Sequence, residues 1–231
     1  MVLISCFFSA GAAAASDPVR IKCGDYTLNV PSANVECWQV DTNIPASDDA
    51  SPEEVAGAQV ANIAVVFSDY KNIAGDIAPQ VTFYRTEDFA KTSFDLVDIS
   101  MNLSDILNNI NSGYTSLDEI FEEVPFMPYQ ASERLITGLP QKIDFENGSG
   151  IRTIAGFQDT VNSASGISNL YYSFQGISND GNCYVSAVFP LRSLTLNGKS
   201  SSDIDWNSVT SDDFQPTLAE LDYYAASIVI E

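Results

Sequence analysis

The chain contains no histidine. That excludes a Ser-His-Asp triad, a Cys-His pair and histidine-based zinc sites. Cations are scarce too. Ten Lys and Arg stand against 31 Asp and Glu, giving a net charge of −21. Nucleic-acid backbones and anionic membrane surfaces would be repelled. The acids are scattered and form no long run, so they read as a solvated acidic surface, with cations or basic partners as the functional counterpart. There is no CxxC pair among the four cysteines, which removes a thioredoxin-like role. No apolar run reaches the roughly 20 residues of a spanning helix. Internal repeats and low-complexity segments are also lacking.

What is there fits a globular core. Of the 231 residues, 45% are hydrophobic, enough to make disorder an unlikely default. Val2 to Ala10 is an apolar core followed by the small run Gly11 to Ala15, and Ala13-Ala14-Ala15 has the small-x-small form of a cleavage site. We expect a signal peptide over 1–15 and a single α+β domain over 16–231, secreted or in the cell envelope, with no transmembrane segment in the mature chain. No Lys or Arg precedes the apolar core, which leaves open a start further upstream. Leu3-Ile4-Ser5-Cys6 resembles a lipoprotein box, so lipid anchoring at Cys6 is the alternative. Export permits a disulfide, and Cys23 and Cys37 flank a short strand-like unit. Closing their loop of about 15 residues is worth roughly 3 kcal/mol in the entropy model. Cys183 is left as a buried small hydrophobe.

Val19–Cys23, Tyr26–Val30 and Val35–Val40 alternate as short strands around turn residues. Asp41–Glu54 reads as an exposed connection. Val60–Phe67 and Gln80–Tyr84 read as strands, the first buried and central. Thr86-Glu87-Asp88 can open a helix, and Leu103, Ile106, Leu107 and Ile110 share one helical face that Ser112-Gly113 ends. Ser116-Leu117-Asp118-Glu119 matches a capping box, and Pro125 stops the helix it opens. Leu218, Leu221, Ala225 and Ile228 mark a last amphipathic helix.

Two hairpins dominate the C-terminal half. Asn179-Asp180-Gly181-Asn182 signals a two-residue type I′ turn. Its register sets Gln175 opposite Ser186, Phe174 opposite Ala187 and Tyr172 opposite Phe189. Tyr172, Phe174, Val185, Ala187 and Phe189 then face the core, and Tyr171, Ser173, Gln175, Ile177, Tyr184 and Ser186 face the other way. The second hairpin turns at Asn147-Gly148. A two-residue turn sets Ile143 against Arg152, whereas a bulge at Gly150 sets Asp144 against Arg152. The bulge is preferred because it gives Arg152 a cross-strand acid. The fold expected is α+β: an antiparallel sheet carrying both hairpins, with helices packed on one face.

Val124-Pro125-Phe126-Met127-Pro128, the stretch F-E-N-G-S-G-I-R at Phe145–Arg152 and F-Q-G-I-S-N-D-G-N-C-Y-V-S-A-V-F-P at Phe174–Pro190 together resemble a group of uncharacterised secreted proteins from Chloroflexi-type bacteria. The resemblance spans about Gln80 to Leu191. It implies export and fold, not an activity. The chain departs at Cys183, where that group tends to carry an aromatic residue.

Candidate sites are few. Asp144 with Glu146, or Glu122 with Glu123, could serve a glycosidase as acid and base, though surface positions explain them as well. Ser178–Asn182 looks like part of a calcium loop but lacks the repeated Asp positions and the closing Glu. Arg152 could grip a carboxylate or phosphate, or pair internally. Tyr171, Gln175 and Tyr184, on the mixed hairpin face, could hold a sugar or a partner unless a helix covers them. No catalytic or metal-ligating residue is assigned and no cofactor is expected. The expected role is a non-catalytic envelope or extracellular module that binds a protein or small ligand. A secreted hydrolase using paired carboxylates is the alternative.

Overall fold

The computed structural model describes residues 19–23, 25–30, 35–45, 59–68, 70, 77–128, 134–157, 169–196 and 203–230. The expected signal peptide, the Cys6 lipoprotein box and most of the Asp41–Glu54 connection lie outside them, as does the side chain of Cys23.

A small antiparallel sheet holds β1 (Val19–Cys23), β2 (Tyr26–Val30) and β11 (Val229–Ile230), in the order β1-β2-β11. The large sheet holds β3 (Val35–Val40), β4 (Asn62–Phe67), β5 (Gln80–Arg85), β6 (Arg134–Phe145), β7 (Gly148–Phe157), β8 (Asn169–Ser178) and β9 (Cys183–Ser193). Its order is β3-β4-β5-β9-β8-β7-β6, antiparallel throughout, with β10 (Phe214–Gln215) on the far end of β9. The helices are α1 (Thr86–Phe89), α2 (Phe94–Asn111), α3 (Leu117–Ile120) and α4 (Leu218–Ala226). None of them is long and apolar enough to cross a membrane.

Local chemistry explains the helices. The Ser93 hydroxyl accepts the Asp95 N–H and starts α2, while Ser116 and Glu119 form a reciprocal capping box on α3. Thr217 caps α4 through the Glu220 N–H. The opening expected at Thr86 yields only the single turn α1, which has no side-chain cap.

The α+β antiparallel sheet carries both hairpins as expected. The helices, however, are shared between its two faces. On one face, Phe174, Ala187, Phe189 and Val81 pack against Leu218, Leu221 and Ala225 from α4, Ile228 just after it, and Leu28 of the small sheet. On the other, Tyr84, Tyr184 and Ile151 pack against Phe89, Leu96, Leu103 and Leu107 from α1 and α2. Both faces of the central strands carry large apolar side chains, so each needs a cover. A large side chain buried there contributes roughly 1.5–3 kcal/mol.

The β8–β9 register is the expected one: Gln175 pairs Ser186, Phe174 pairs Ala187 and Tyr172 pairs Phe189. Phe174 and Phe189 are both fully buried. The turn differs. Only Gly181 has positive φ, at 74°, and its N–H bonds the Ser178 carbonyl at 2.9 Å. Asn179 to Asn182 is therefore a four-residue loop, not a type I′ turn, which would need positive φ at Asp180 too.

The β6–β7 register corrects the expectation. Asp144 pairs Ser149, Ile143 pairs Gly150 and Gln141 pairs Arg152, so the two-residue loop is Glu146-Asn147, with Asn147 at φ 69°. The ladder's irregularities lie between Arg134 and Ile136 and between Gly138 and Gln141, where Leu139 has φ 49°. Gly148 and Gly150 make room for aromatic rings instead of forming a bulge. A Cβ at Gly148 would come within 2.2 Å of the Phe145 ring, and one at Gly150 within 2.5 Å of the Phe174 ring.

Candidate functional site

The hairpin side chains singled out from the sequence are interior. Tyr171, Gln175 and Tyr184 are all buried. Tyr184 sits beneath α1 and α2, edge-on to Phe89 at 5.6 Å, and its hydroxyl donates to Gln175 Oε1 at 2.8 Å. Gln175 Nε2 donates to the hydroxyls of Ser173 and Ser186, and to the Met127 carbonyl at 3.3 Å. Tyr171 packs with Phe126 and Phe157. Burial pushes the Tyr184 phenol well above its ordinary value. These groups satisfy one another and leave no surface for a ligand.

Arg152 is also internal. Its Nε and Nη2 reach the two Asp222 oxygens at 3.1 and 3.2 Å, Nη1 donates to the Leu139 carbonyl, and Nη2 also donates to Gln141 Oε1. Tyr172 adds a donor to Asp222 at 3.0 Å. The acid partner is thus Asp222 on α4, not the expected Asp144. Asp144 lies exposed beside Lys142 at 2.8 Å. The β-ladder places Gln141 opposite Arg152, and the bend at Leu139 turns a carbonyl towards the guanidinium.

The proposed acid pairs lie on the surface. Asp144, Glu146, Glu122 and Glu123 are all exposed. Asp180 is used within its own loop. Its carboxylate accepts from Ser178 Oγ, the Asn182 N–H and Asn182 Nδ2, and these bonds, Ser178 first, hold it below the ordinary range. No group of three or more ligating side chains able to hold a metal ion occurs among the described residues.

Three surface clefts stand out among the described residues, and one of them, about 440 Å³, runs past Asp25, Arg85, Thr86, Asp180 and Cys183. Another, of about 530 Å³, runs past Asp41, Asn43, Arg85, Glu87, Asp88 and Lys91. Burial raises Asp88, but bonds from Lys91 at 2.7 Å and Asn43 at 3.2 Å outweigh it and hold the carboxyl low. Asp88 is therefore a fixed carboxylate, not a proton donor at neutral pH.

The third cleft, about 340 Å³, opens on the same sheet face that α2 covers further along. Its floor crosses β3, β4 and β5, and its wall is Leu96 of α2 with Met127 and Pro128. Trp38 stands at its rim, 59% exposed. The indole N–H donates to Glu36 at 3.2 Å, and Ser68 donates to the other oxygen of that carboxylate at 3.3 Å, so the ring is held from one edge. Thr82 lines the floor and is 2% exposed. Its hydroxyl is the one buried side-chain polar atom without a hydrogen-bond partner among the described residues. Tyr84 lies on the same face, close enough for Thr82 to work against the burial that raises its phenol, yet the pair does not meet hydrogen-bond geometry. A buried unsatisfied hydroxyl costs roughly 1–3 kcal/mol, and this one lies in the floor of an open cleft. The sequence reading missed Trp38 and Thr82. Its signal was a large aromatic in a strand, Val35–Val40, whose other residues carry little apolar patterning.

No protein-family model, curated protein or solved structure matches the chain.

Proposed function

We propose that the chain is an exported, non-catalytic module of a bacterial cell envelope or extracellular space, related to the secreted Chloroflexi-type group it resembles, and that it binds its ligand in the Trp38 cleft. The carrying observation is the unpartnered Thr82 hydroxyl lining an open groove, while the other candidate polar groups are spent on internal bonds. The hydrolase reading has less support. The acid pairs it would use are exposed, and Asp88, one of four acids along the largest of the three clefts, is tied to Lys91. Export also carries a Cys23–Cys37 disulfide. In its favour, Cys37 is disulfide-bonded while Cys183 is free, and β1 lies against β4, the strand paired with β3.

The test is co-sedimentation with the insoluble envelope fraction of the producing bacterium. Wild type should be retained, Trp38→Ala should be released, and the double variant Asp144→Asn, Glu146→Gln should behave as wild type. Release of new reducing ends by wild type, abolished in that double variant or in Glu122→Gln, Glu123→Gln, would replace the module by the hydrolase.

A further inference from the structure

We infer that the Trp38 cleft is a subsite for one uncharged, hydroxyl-rich ring, a neutral saccharide unit. The inference rests on the binding-module reading and adds the ligand's chemistry. Register sets the dimensions. Trp38 pairs Ala64, and Ala64 pairs Thr82. The three side chains therefore stand in one row across β3, β4 and β5. Two strand spacings, about 10 Å, separate the backbones that carry the indole and the hydroxyl. Among the described residues, Ala64 is what stands between them in that row. That span suits a single pyranose ring, with the indole at one end and the Thr82 side chain in the floor at the other.

The lining chemistry selects the class. Among the described residues no Asp, Glu, Lys or Arg lines the cleft, and Glu36, bonded to the indole edge, stands outside it, although the chain carries 21 excess negative charges. A cationic or anionic ligand would give up its hydration there without a counter-charge. The polar groups offered are neutral: the Thr82 hydroxyl and the amides of Gln59, Asn62 and Gln80. Asn62 spends one donor on the Val60 carbonyl, which aims the rest of its amide. Amides and hydroxyls both donate and accept, which suits sugar hydroxyls that do the same. The indole supplies a large, rigid apolar surface, and with its N–H already bonded to Glu36 what it offers is its face. A ring with an apolar C–H face and a hydroxyl edge satisfies both walls at once. A purely apolar ligand would leave Thr82 unmet.

The test is binding of labelled wild-type protein to an array of immobilised neutral and acidic glycans, followed by calorimetry with the soluble form of the neutral glycan bound most strongly. Thr82→Val is the sharper variant, because valine keeps the shape and strand preference and removes only the hydroxyl. Binding of a neutral glycan is expected, weakened about tenfold in Thr82→Val and lost in Trp38→Ala, with partial recovery in Trp38→Phe. Absence of any neutral glycan binding, preference for acidic glycans, or unchanged affinity in Thr82→Val would each overturn the inference. The last would mean that water alone meets the hydroxyl. Trp38-dependent envelope retention without glycan binding would sink the saccharide and leave the module. Loss of both would sink the module as well.

Discussion

Arg152 allows the sharpest test of the fold, because two acids compete for it on paper and only one does so in space. Asp222 meets the guanidinium at 3.1 and 3.2 Å, and the side chains of Arg152 and Asp222 are 7% and 19% exposed. Removing one partner of such a pair strands the other charge, at a cost of about 3–5 kcal/mol. For a chain of this size that corresponds to a midpoint lower by roughly 6–20 °C. Asp222→Asn should fall in this range, since an amide N–H then faces a guanidinium N–H. Asp144→Asn should cost under about 0.5 kcal/mol, because Asp144 is a surface acid beside Lys142. Arg152→Lys should sit near the loss for Asp222→Asn. It keeps the charge but cannot reach Asp222, Gln141 and the Leu139 carbonyl together. The assay is urea unfolding at pH 7, read as a change in midpoint at constant slope. A double-mutant cycle between Arg152 and Asp222 should give a coupling of about 1–3 kcal/mol, and one between Arg152 and Asp144 about zero. Equal losses for Asp222→Asn and Asp144→Asn would refute the Asp222 assignment and restore the bulged hairpin.

Three further outcomes are expected. Thr82→Val should stabilise the unliganded protein by about 1 kcal/mol in thermal unfolding, since it removes a buried hydroxyl with no partner; destabilisation would mean the hydroxyl is already satisfied. Cys183 should resist thiol reagents in the native state, because burial pushes its pKa up to about 12, which leaves about one part in ten thousand as thiolate at pH 8. Full reaction should appear only on unfolding, and rapid native labelling would show that β9 opens locally. Asp180→Ala should lower stability at neutral pH. The native carboxyl is held below its ordinary 3.8, so its contribution is present above that value and lost as pH falls through the lower native one. Urea midpoints of wild type and variant should therefore converge in acid, and a gap independent of pH would remove the carboxylate's role in the loop.

The outcomes of the sequence reading follow from how local each signal was. The α2 stripe, the Ser116–Glu119 box and the α4 stripe rest on residues within a turn or two of each other, and all three are present. The β8–β9 register came through although its turn type did not, because alternation on both strands fixes pairing independently of loop conformation. At β6–β7 the only argument was a charge partner for Arg152. The real partner lies 70 residues further on, in α4, where no local rule reaches it. The glycines there suggested a bulge because their use, space for the Phe145 and Phe174 rings, is a tertiary fact.

The same reasoning explains why the binding candidates read from the sequence share a sheet face with the Trp38 cleft but sit on other strands. Tyr171, Gln175 and Tyr184 share their face with Thr82 and Trp38, as the continuous pairing from β8 through β9, β5 and β4 to β3 requires. A half-polar face in the middle of a sheet looks like a surface when only its own hairpin is read. The Met127 carbonyl and the Phe89–Leu107 helices close over it, and its polar groups bond inward. The small residue Ala64 and the unpaired Thr82 lie in the strip left open towards β3. A face too polar to be a conventional core is thus covered where its groups can satisfy one another, and open where one of them cannot.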